Sequence, residues 1–247
     1  MKATIFSEKD NELIIRIKGS NFETINSIRR SCMNNVPTLA IEDVEFSSNN
    51  SALYDENLAH RLGLIPLTTD LKSYVKSENC KCKEVGCARC TVQLTLEAKG
   101  PCTVYSKELA STDSAIKPVF DDMPIVKLFE GQEVRLIATA KLNNGSYHAK
   151  HQPCMSYYGF YPILEKESDL KKLPAEVFKD GIVDKENIQN LTLFETIAED
   201  EKISYSTKDD DVLLTIESWG QLNPKEIYLN ALKNLSNDLE DFSKSLK

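Results

Sequence analysis

Apolar and polar residues alternate along several stretches of the chain, and this alternation predicts β-strands. Leu13, Ile15 and Ile17 occupy every second position, and Lys9 to Asn11 provide turn residues, so residues 2–18 are predicted to form a β-hairpin. The acidic run from Asp209 to Asp211 is expected to be a solvated turn. Four further strands are predicted: 38–46, 92–98, 134–142 and 212–217.

Apolar residues spaced three or four apart predict two long helices, and a short one is expected over 57–62. The first long helix covers 21–36 and begins at a capping Ser20 or Asn21. The second begins at Pro224, and its heptad spacing suits packing on its own domain or against a helix of another chain. The regular 3.5-residue period favours a partner helix. The residues of this stripe are Tyr228, Leu232, Leu235, Leu239, Phe242 and Leu246.

Length, composition and charge narrow the class of protein. The 247 residues allow one large or two modest domains, and no apolar run is long enough to span a bilayer. The N-terminus lacks the apolar core of a secretory signal, so a cytosolic or nuclear protein with reduced cysteines is expected. A net charge of -8 argues against a chain that holds nucleic acid alone.

Four cysteines lie within eleven residues in a C-x-C-x4-C-x2-C pattern: Cys80, Cys82, Cys87 and Cys90. Four thiolates suit tetrahedral zinc and leave no open coordination position, so the spacing predicts one structural zinc ion. A reactive dithiol and an iron–sulfur cluster are the alternatives, although the usual C-x2-C-x2-C run is lacking. Cys32, Cys102 and Cys154 are isolated in sequence and are expected to be small buried hydrophobic residues.

Residue types that carry out catalysis are not grouped in the sequence. The histidines His60, His148 and His151 lie beside no obvious nucleophile, and no phosphate-binding glycine loop is present. No catalytic residue is therefore predicted. Arg29 and Arg30 are adjacent on the first helix, and one of them could bind a phosphate or a carboxylate. The alternative is that both belong to an exposed charged face of the helix with no specific partner.

The stretch from Asn26 to Asp70, which contains the run DENLAHRLGLIPL, closely resembles the D-type family of archaeal RNA polymerase subunits. The eukaryotic counterpart of this family is the third-largest polymerase subunit, and the bacterial counterpart is the alpha subunit. The resemblance continues through the four-cysteine loop, GSYHAK at 145–150 and ESWGQLNPKEIYLNAL at 217–232, and it covers essentially the whole chain. One departure is His151, where the family often has tryptophan.

The resemblance implies an α+β fold with a discontinuous dimerisation domain. This domain would comprise 1–46 and 206–247, with β-strands and two main helices. Residues 47–164 would form an inserted β-rich domain that carries the four-cysteine loop at 80–90. Residues 165–205 would form a small, acidic, degenerate ferredoxin-like third segment.

The resemblance also implies a function, which is a non-catalytic scaffold subunit of a DNA-directed RNA polymerase in DNA-templated transcription. The chain would pair with the smaller subunit L in the cytoplasm, and the pair would be a platform for the two largest subunits. Small subunits N and P would also be partners, DNA would be met only through the assembled enzyme, and no membrane is involved. The expected partner-interface residues are Phe22, Ile25, Arg29, Arg30, Tyr228, Leu232, Leu235, Leu239, Phe242 and Leu246.

The third segment departs from part of the family, because some members carry cysteine-bound iron–sulfur clusters there. The resembling positions in this chain are Leu173, Leu191, Phe194 and Ile197, none of which can bind iron. We therefore expect zinc but no iron–sulfur cluster, and a shrunken third domain held together by apolar contacts.

Two other functions remain open from the residues alone. One is a free-standing zinc-binding protein that contacts nucleic-acid phosphates through Lys81, Lys83 and Arg89, although the acidic net charge is unfavourable. The other is a thiol oxidoreductase that uses Cys87 and Cys90, which would need a lowered thiol pKa.

Overall fold

The computed structural model describes residues 1–83, 85–178, 181–184 and 188–246, and shows a mixed α and β fold with antiparallel strand pairs. The helices of the described residues are α1 (Phe22–Asn34), α2 (Asp55–Gly63), α3 (Leu191–Asp200) and α4 (Pro224–Ser245). The strands are β1 (Lys2–Glu8), β2 (Glu12–Lys18), β3 (Thr38–Asn49), β4 (Thr91–Lys99), β5 (Cys102–Tyr105), β6 (Ala110–Ser111), β7 (Pro124–Leu128), β8 (Glu133–Asn143), β9 (Cys154–Leu164) and β10 (Tyr205–Ser218).

The described strands form three sheets. The first has the order β1-β2-β10-β9, and its β1–β2 hairpin pairs Lys2 with Lys18 at one end and Glu8 with Leu13 at the other. The second has the order β3-β8-β4-β6, with each neighbouring pair antiparallel. The third is the two-stranded pair β5–β7.

The chain divides into two compact units. The first unit comprises Met1–Arg29 and Ser156–Ile216, and the second comprises Arg30–Met155 and Glu217–Lys247. Leu39, Leu94 and Leu136 belong to the core of the second unit, in which the inward faces of β3, β4 and β8 meet α2. The core of the first unit gathers side chains from β9, β10 and the segment between them, including Tyr161, Phe194 and Leu213.

Most of the elements predicted from periodicity are confirmed. The hairpin, the four other strands and all three helices are present, and the Asn21 side chain caps α1 by accepting a hydrogen bond from the Thr24 amide at 3.0 Å. Periodicity did not predict β5, β6, β7, β9 or α3. In β9 the residues facing both sides of the strand are apolar and Pro162 interrupts the pattern, so no alternation is visible.

The expectation of a solvated turn at Asp209 to Asp211 was wrong. These residues lie inside β10, and Asp211 is buried. The acidic side chain is stable there because the Arg16 guanidinium donates two hydrogen bonds to it, at 2.8 and 2.7 Å. The run of acidic residues therefore led to a predicted strand, 212–217, that begins later than β10 does.

Candidate metal centre and partner surface

The four-cysteine loop brings its thiols together in space. All four sulfur atoms lie within 4.8 Å of one another. The Sγ atoms of Cys80 and Cys87 are 3.5 Å apart, as are those of Cys82 and Cys90. Gly86 makes the tight turn possible, because its φ of +94° lies in the left-handed region that favours glycine.

The geometry of the loop fits a tetrahedral metal ion. Thiolates at about 2.3 Å from zinc lie about 3.8 Å from one another in a tetrahedron, close to the sulfur separations of the loop. The backbone amide of Cys87 donates a hydrogen bond to the Cys90 sulfur at 3.3 Å, which favours a negatively charged ligand. The loop therefore holds a group of four cysteines that could bind a metal ion and is compatible with zinc.

The thiols of the loop differ in how readily they lose a proton. Hydrogen bonds from the Cys80 thiol and from the Gly86 backbone amide lower the pKa of Cys82 to about 7. Burial raises the pKa of Cys90 to about 12. Metal binding to the loop must therefore displace protons from its thiols, which makes the affinity depend on pH.

The isolated cysteines divide into two kinds. Cys32 and Cys154 are buried, as expected, and burial raises the pKa of Cys154. Cys102 is exposed, so the expectation that it is a buried hydrophobic residue was wrong. It begins β5 at a strand end, where the side chain is not covered by the sheet.

Helix α4 has two faces that behave differently. Pro224, Ile227 and Ala231 are buried, and the Ser31 hydroxyl donates a hydrogen bond to the Ala231 carbonyl at 2.8 Å. The heptad stripe lies about a quarter turn away from that face. Tyr228, Leu232 and Leu235 are half-buried. The remaining stripe residues are exposed: Leu239 by 61%, Phe242 by 63% and Leu246, just after the helix end, by 72%.

The predicted interface residues of α1 are placed in different surroundings. Phe22 is exposed and packs edge-on against Phe160 with ring centroids 5.6 Å apart. The Arg29 guanidinium donates hydrogen bonds to Asn26 Oδ1 and to the Ser156 carbonyl, whereas Arg30 is exposed. Ile25 is fully buried within the chain, so its assignment to a partner interface was wrong, because a side chain without accessible surface cannot meet a partner.

The four positions compared with iron–sulfur ligands lie in the apolar core of the first unit. Leu173 and Phe194 are buried, and Leu191 and Ile197 pack against the same cluster from half-buried positions. Phe194 also meets Tyr205 edge-on, with ring centroids 5.2 Å apart. The segment therefore has an apolar core shared with β9 and β10.

Two buried polar clusters were not predictable from the sequence. Arg16 pairs with Asp211 and stacks on Tyr161, with its guanidinium carbon 3.2 Å from the ring centroid. His151 is fully buried with Nδ1 2.9 Å from the Thr38 carbonyl oxygen and Nε2 3.6 Å from Glu42 Oε2. Partners 195 and 113 residues apart in the chain leave no local signal in the sequence.

Among the described residues, no helix combines the length and apolar character that crossing a membrane requires.

Comparisons with known proteins agree with the resemblance found in the sequence. The profile of the RNA polymerase Rpb3/RpoA insert domain matches residues 44–163. The DNA-directed RNA polymerase subunit Rpo3 of Methanosphaera stadtmanae is 39% identical, with 93% of each chain covered. The subunit Rpo3 of Methanothermobacter thermautotrophicus is 36% identical over 97% of each chain.

A eukaryotic relative is similar over nearly the same length. The DNA-directed RNA polymerase II subunit rpb3 of Dictyostelium discoideum is 32% identical, with 96% of this chain and 92% of the relative covered. Identities above 30% over nearly complete chains mean that the similarity extends well beyond the insert domain. The chain therefore belongs to the Rpo3/Rpb3 family of DNA-directed RNA polymerase subunits.

Proposed function

We propose that the chain is an assembly subunit of a DNA-directed RNA polymerase, which contributes binding surface rather than chemistry to a nucleotidyltransferase complex. The observation that carries this proposal is the similarity to Rpo3 and rpb3 relatives along nearly the whole chain. DNA would be reached only through the assembled enzyme. A free-standing zinc protein that binds nucleic acid is not favoured, since the net charge is -8.

In more detail, we propose that different segments of the chain have different roles in the assembly. Residues 1–46 and 206–247 would form the dimerisation domain that pairs with a smaller L-type subunit. Residues 47–164 would form the inserted domain, and 165–205 the third segment without a cluster. The resulting pair would be the platform for the two largest subunits, joined by small subunits of the N and P type, in the cytoplasm.

The exposed end of the α4 stripe supports pairing through this helix. Leu239, Phe242 and Leu246 place three large apolar side chains on one face without cover from the described part of the chain. Burying each such side chain in an interface contributes about 1.5–3 kcal/mol. The stripe has the heptad spacing of helix pairs, which a partner helix would cover.

Two exposed residues of α1, Phe22 and Arg30, are further candidates for contact with a partner. Arg30 is the exposed member of the arginine pair and suits a partner's carboxylate, whereas Arg29 is held within the chain by Asn26 and Ser156. Ile25 is excluded from this proposal because it is buried.

We further propose that the four-cysteine loop binds one structural zinc ion. The compact set of four sulfur atoms supports a closed site, which would cross-link the loop and leave no coordination position for a substrate. A reactive dithiol and a thiol oxidoreductase that uses Cys87 and Cys90 are weaker alternatives, because these two cysteines have the sulfurs of Cys80 and Cys82 beside them.

Single charged substitutions in α4 test the pairing. Leu239→Glu and Phe242→Glu are each expected to reduce recovery of the smaller subunit with the tagged chain by tenfold or more, about what a loss of 1.5 kcal/mol or more produces. Asn237→Glu adds the same charge on the opposite, exposed side of the helix and should leave recovery unchanged. Equal recovery for all three variants would contradict pairing through the stripe.

A further inference from the structure

The sulfur atoms of the four-cysteine loop are arranged as two close pairs. The Sγ atoms of Cys80 and Cys87 are 3.5 Å apart, and so are those of Cys82 and Cys90. A disulfide bond is about 2.05 Å long, so each pair would have to close by about 1.5 Å, which rotation of a side chain provides. The two pairs together use all four sulfurs.

A different pairing suits the loop less well. The sulfurs of Cys87 and Cys90 are 3.8 Å apart, but a bond between them leaves Cys80 with Cys82. A single residue separates these last two cysteines, and the small ring that their bond would close is strained. The geometry therefore favours one bond between Cys80 and Cys87 and another between Cys82 and Cys90.

Each pair contains a sulfur that a small reagent can reach. Cys80, Cys82 and Cys87 are half-buried, whereas Cys90 is buried. The described residues between the cysteines are all exposed, and Val85 is exposed by 87%. Hydrogen peroxide is small and neutral, so it can reach one sulfur of each pair while the second sulfur lies beside the first.

Backbone hydrogen bonds hold the loop together without help from a metal ion. The carbonyls of Cys80, Cys82 and Cys87 each accept a hydrogen bond from the amide three residues later, at 2.9–3.3 Å. At the base of the loop, the Val75 amide donates to the Arg89 carbonyl at 2.9 Å. The sulfurs therefore stay close together after a metal ion leaves, which favours disulfides within the loop over disulfides between chains.

We propose that the four-cysteine loop is a reversible redox switch, in which hydrogen peroxide replaces the bound zinc ion with two disulfide bonds. One bond joins Cys80 to Cys87, and the other joins Cys82 to Cys90. The switch rests on the zinc site proposed above and goes beyond it, because it assigns a reaction to the ligands. No dithiol substrate takes part, so the loop is not an oxidoreductase site.

Each disulfide consumes one peroxide. A thiolate attacks the peroxide, so a sulfur–oxygen bond forms, the oxygen–oxygen bond breaks, and the hydroxide that leaves is protonated to water. The partner sulfur then attacks the sulfenic acid, forms the sulfur–sulfur bond and displaces a second hydroxide, which is also protonated by solvent. The pair loses two electrons and the peroxide gains them. The first disulfide leaves zinc with two of its four ligands, which is too few to retain it.

Peroxide treatment of the purified, zinc-loaded full-length chain tests the switch. About two equivalents of hydrogen peroxide per chain should release the zinc to a chromogenic chelator. The intact mass should then be about 4 Da below that of the reduced, metal-free chain, because four thiol hydrogens are lost. Reduction with a dithiol should restore zinc binding. Zinc that stays bound, or oxygen added to the sulfurs in place of disulfides, would overturn the switch.

Tryptic peptides identify which cysteines are joined. Trypsin cleaves after lysine and arginine, and one such residue stands between each cysteine of the loop and the next, so every cysteine lies in a different peptide. Non-reducing mass spectrometry should find the Cys80 peptide linked to that of Cys87, and the Cys82 peptide linked to that of Cys90. Any other combination would overturn the assigned pairing.

An exposed cysteine outside the loop provides the control. Cys102→Ala removes an accessible thiol but none of the four ligands, so zinc release should depend on peroxide as it does in the wild type. A changed dependence would show that oxidation of the loop needs Cys102 and would contradict the mechanism. Absence of zinc before treatment would contradict the metal site and the switch together, whereas zinc that resists peroxide would contradict the switch alone.

Discussion

A buried ion pair connects distant parts of the first unit at the scale of single residues. Arg16 on β2 donates two hydrogen bonds to Asp211 on β10 while its guanidinium stacks on Tyr161 of β9. The Tyr161 hydroxyl in turn donates to the Ile188 carbonyl at 3.1 Å. Three strands and the third segment therefore meet at one polar contact inside an apolar core.

Loss of one partner should be costly, because the other charge would remain buried without compensation. We expect Asp211→Asn to reduce the free energy of unfolding by about 3–5 kcal/mol in urea denaturation. Asp210→Asn changes the exposed neighbour on the same strand and should change the free energy of unfolding by less than about 0.5 kcal/mol. A similar small effect of both substitutions would show that the pair is not a stabilising element.

His151 should make stability depend on pH. Burial lowers the pKa of its imidazole below the usual 6.5, although the hydrogen bond to Thr38 and the charge of Glu42 act in the opposite direction. As the pH falls below about 6.5 the unfolded chain takes up a proton that the folded chain does not, so the free energy of unfolding decreases.

The pH effect is measured by urea denaturation between pH 7.5 and 5. The wild type should lose stability over this interval, and His151→Gln should lose less. Identical pH profiles for the two proteins would contradict this role of His151.

The Glu42 carboxyl changes its protonation, and so its contribution to stability, at lower pH than His151. Burial tends to raise the pKa of this carboxyl, but Lys150 lowers it overall below 4.5, so its contribution is lost only in more acidic solution.

At the scale of elements, the four-cysteine loop is a compact unit whose local sequence specifies its geometry. Its four ligands lie within eleven residues, and Gly86 is placed where a positive φ is needed. The sequence was therefore sufficient to predict that the sulfur atoms converge. The order of deprotonation was not predictable, because it depends on the burial of Cys90 and on hydrogen bonds to Cys82.

Removing one cysteine ligand should prevent the chain from binding one zinc ion per molecule. We expect inductively coupled plasma mass spectrometry to find one zinc ion per wild-type chain. Cys82→Ala should retain much less zinc, because three thiols leave one position of the tetrahedron open. Cys102→Ala removes an exposed cysteine outside the loop and should retain the full amount. Equal zinc contents in the two variants, or none in the wild type, would contradict the structural zinc site.

The third segment should contain no cluster iron. Its candidate positions are apolar and pack into the core with Tyr161 and Leu213, which gives the segment a means of folding without metal. Protein purified anaerobically is expected to lack iron and labile sulfide in colorimetric assays. Stoichiometric iron and sulfide would overturn this prediction.

At the scale of the whole molecule, periodicity predicted most clearly the strands with one buried face and one more exposed face, β4 and β8. It also predicted the hairpin, in which β1 is mostly exposed and β2 has no exposed residue, because apolar residues occupy every second position of β2. The pattern in β9 is obscured by apolar residues on both faces, and α3 was interpreted only through its resemblance to a ferredoxin-like stretch. Local patterns do not report contacts made with distant strands.

The site could be predicted to the extent that its residues are neighbours in sequence. The α4 stripe was visible as a heptad repeat, and its last three apolar residues are exposed. Ile25 was misassigned because helical spacing cannot distinguish a face that packs inside the chain from one that meets a partner. Trp219 and Gln221 lie in a run that carries the family resemblance, but their surroundings come from segments about 70 to 150 residues away and were not predictable from it.

Native mass spectrometry of the complex that co-purifies with the tagged chain from its own cells tests the central claim most directly. We expect a large multi-subunit polymerase that releases, on mild dissociation, a pair of this 27.8 kDa chain with a smaller subunit. About 65 Da of additional mass, the mass of one zinc ion, should remain with the chain. A lone 27.8 kDa species would contradict the assignment of the chain as a polymerase assembly subunit.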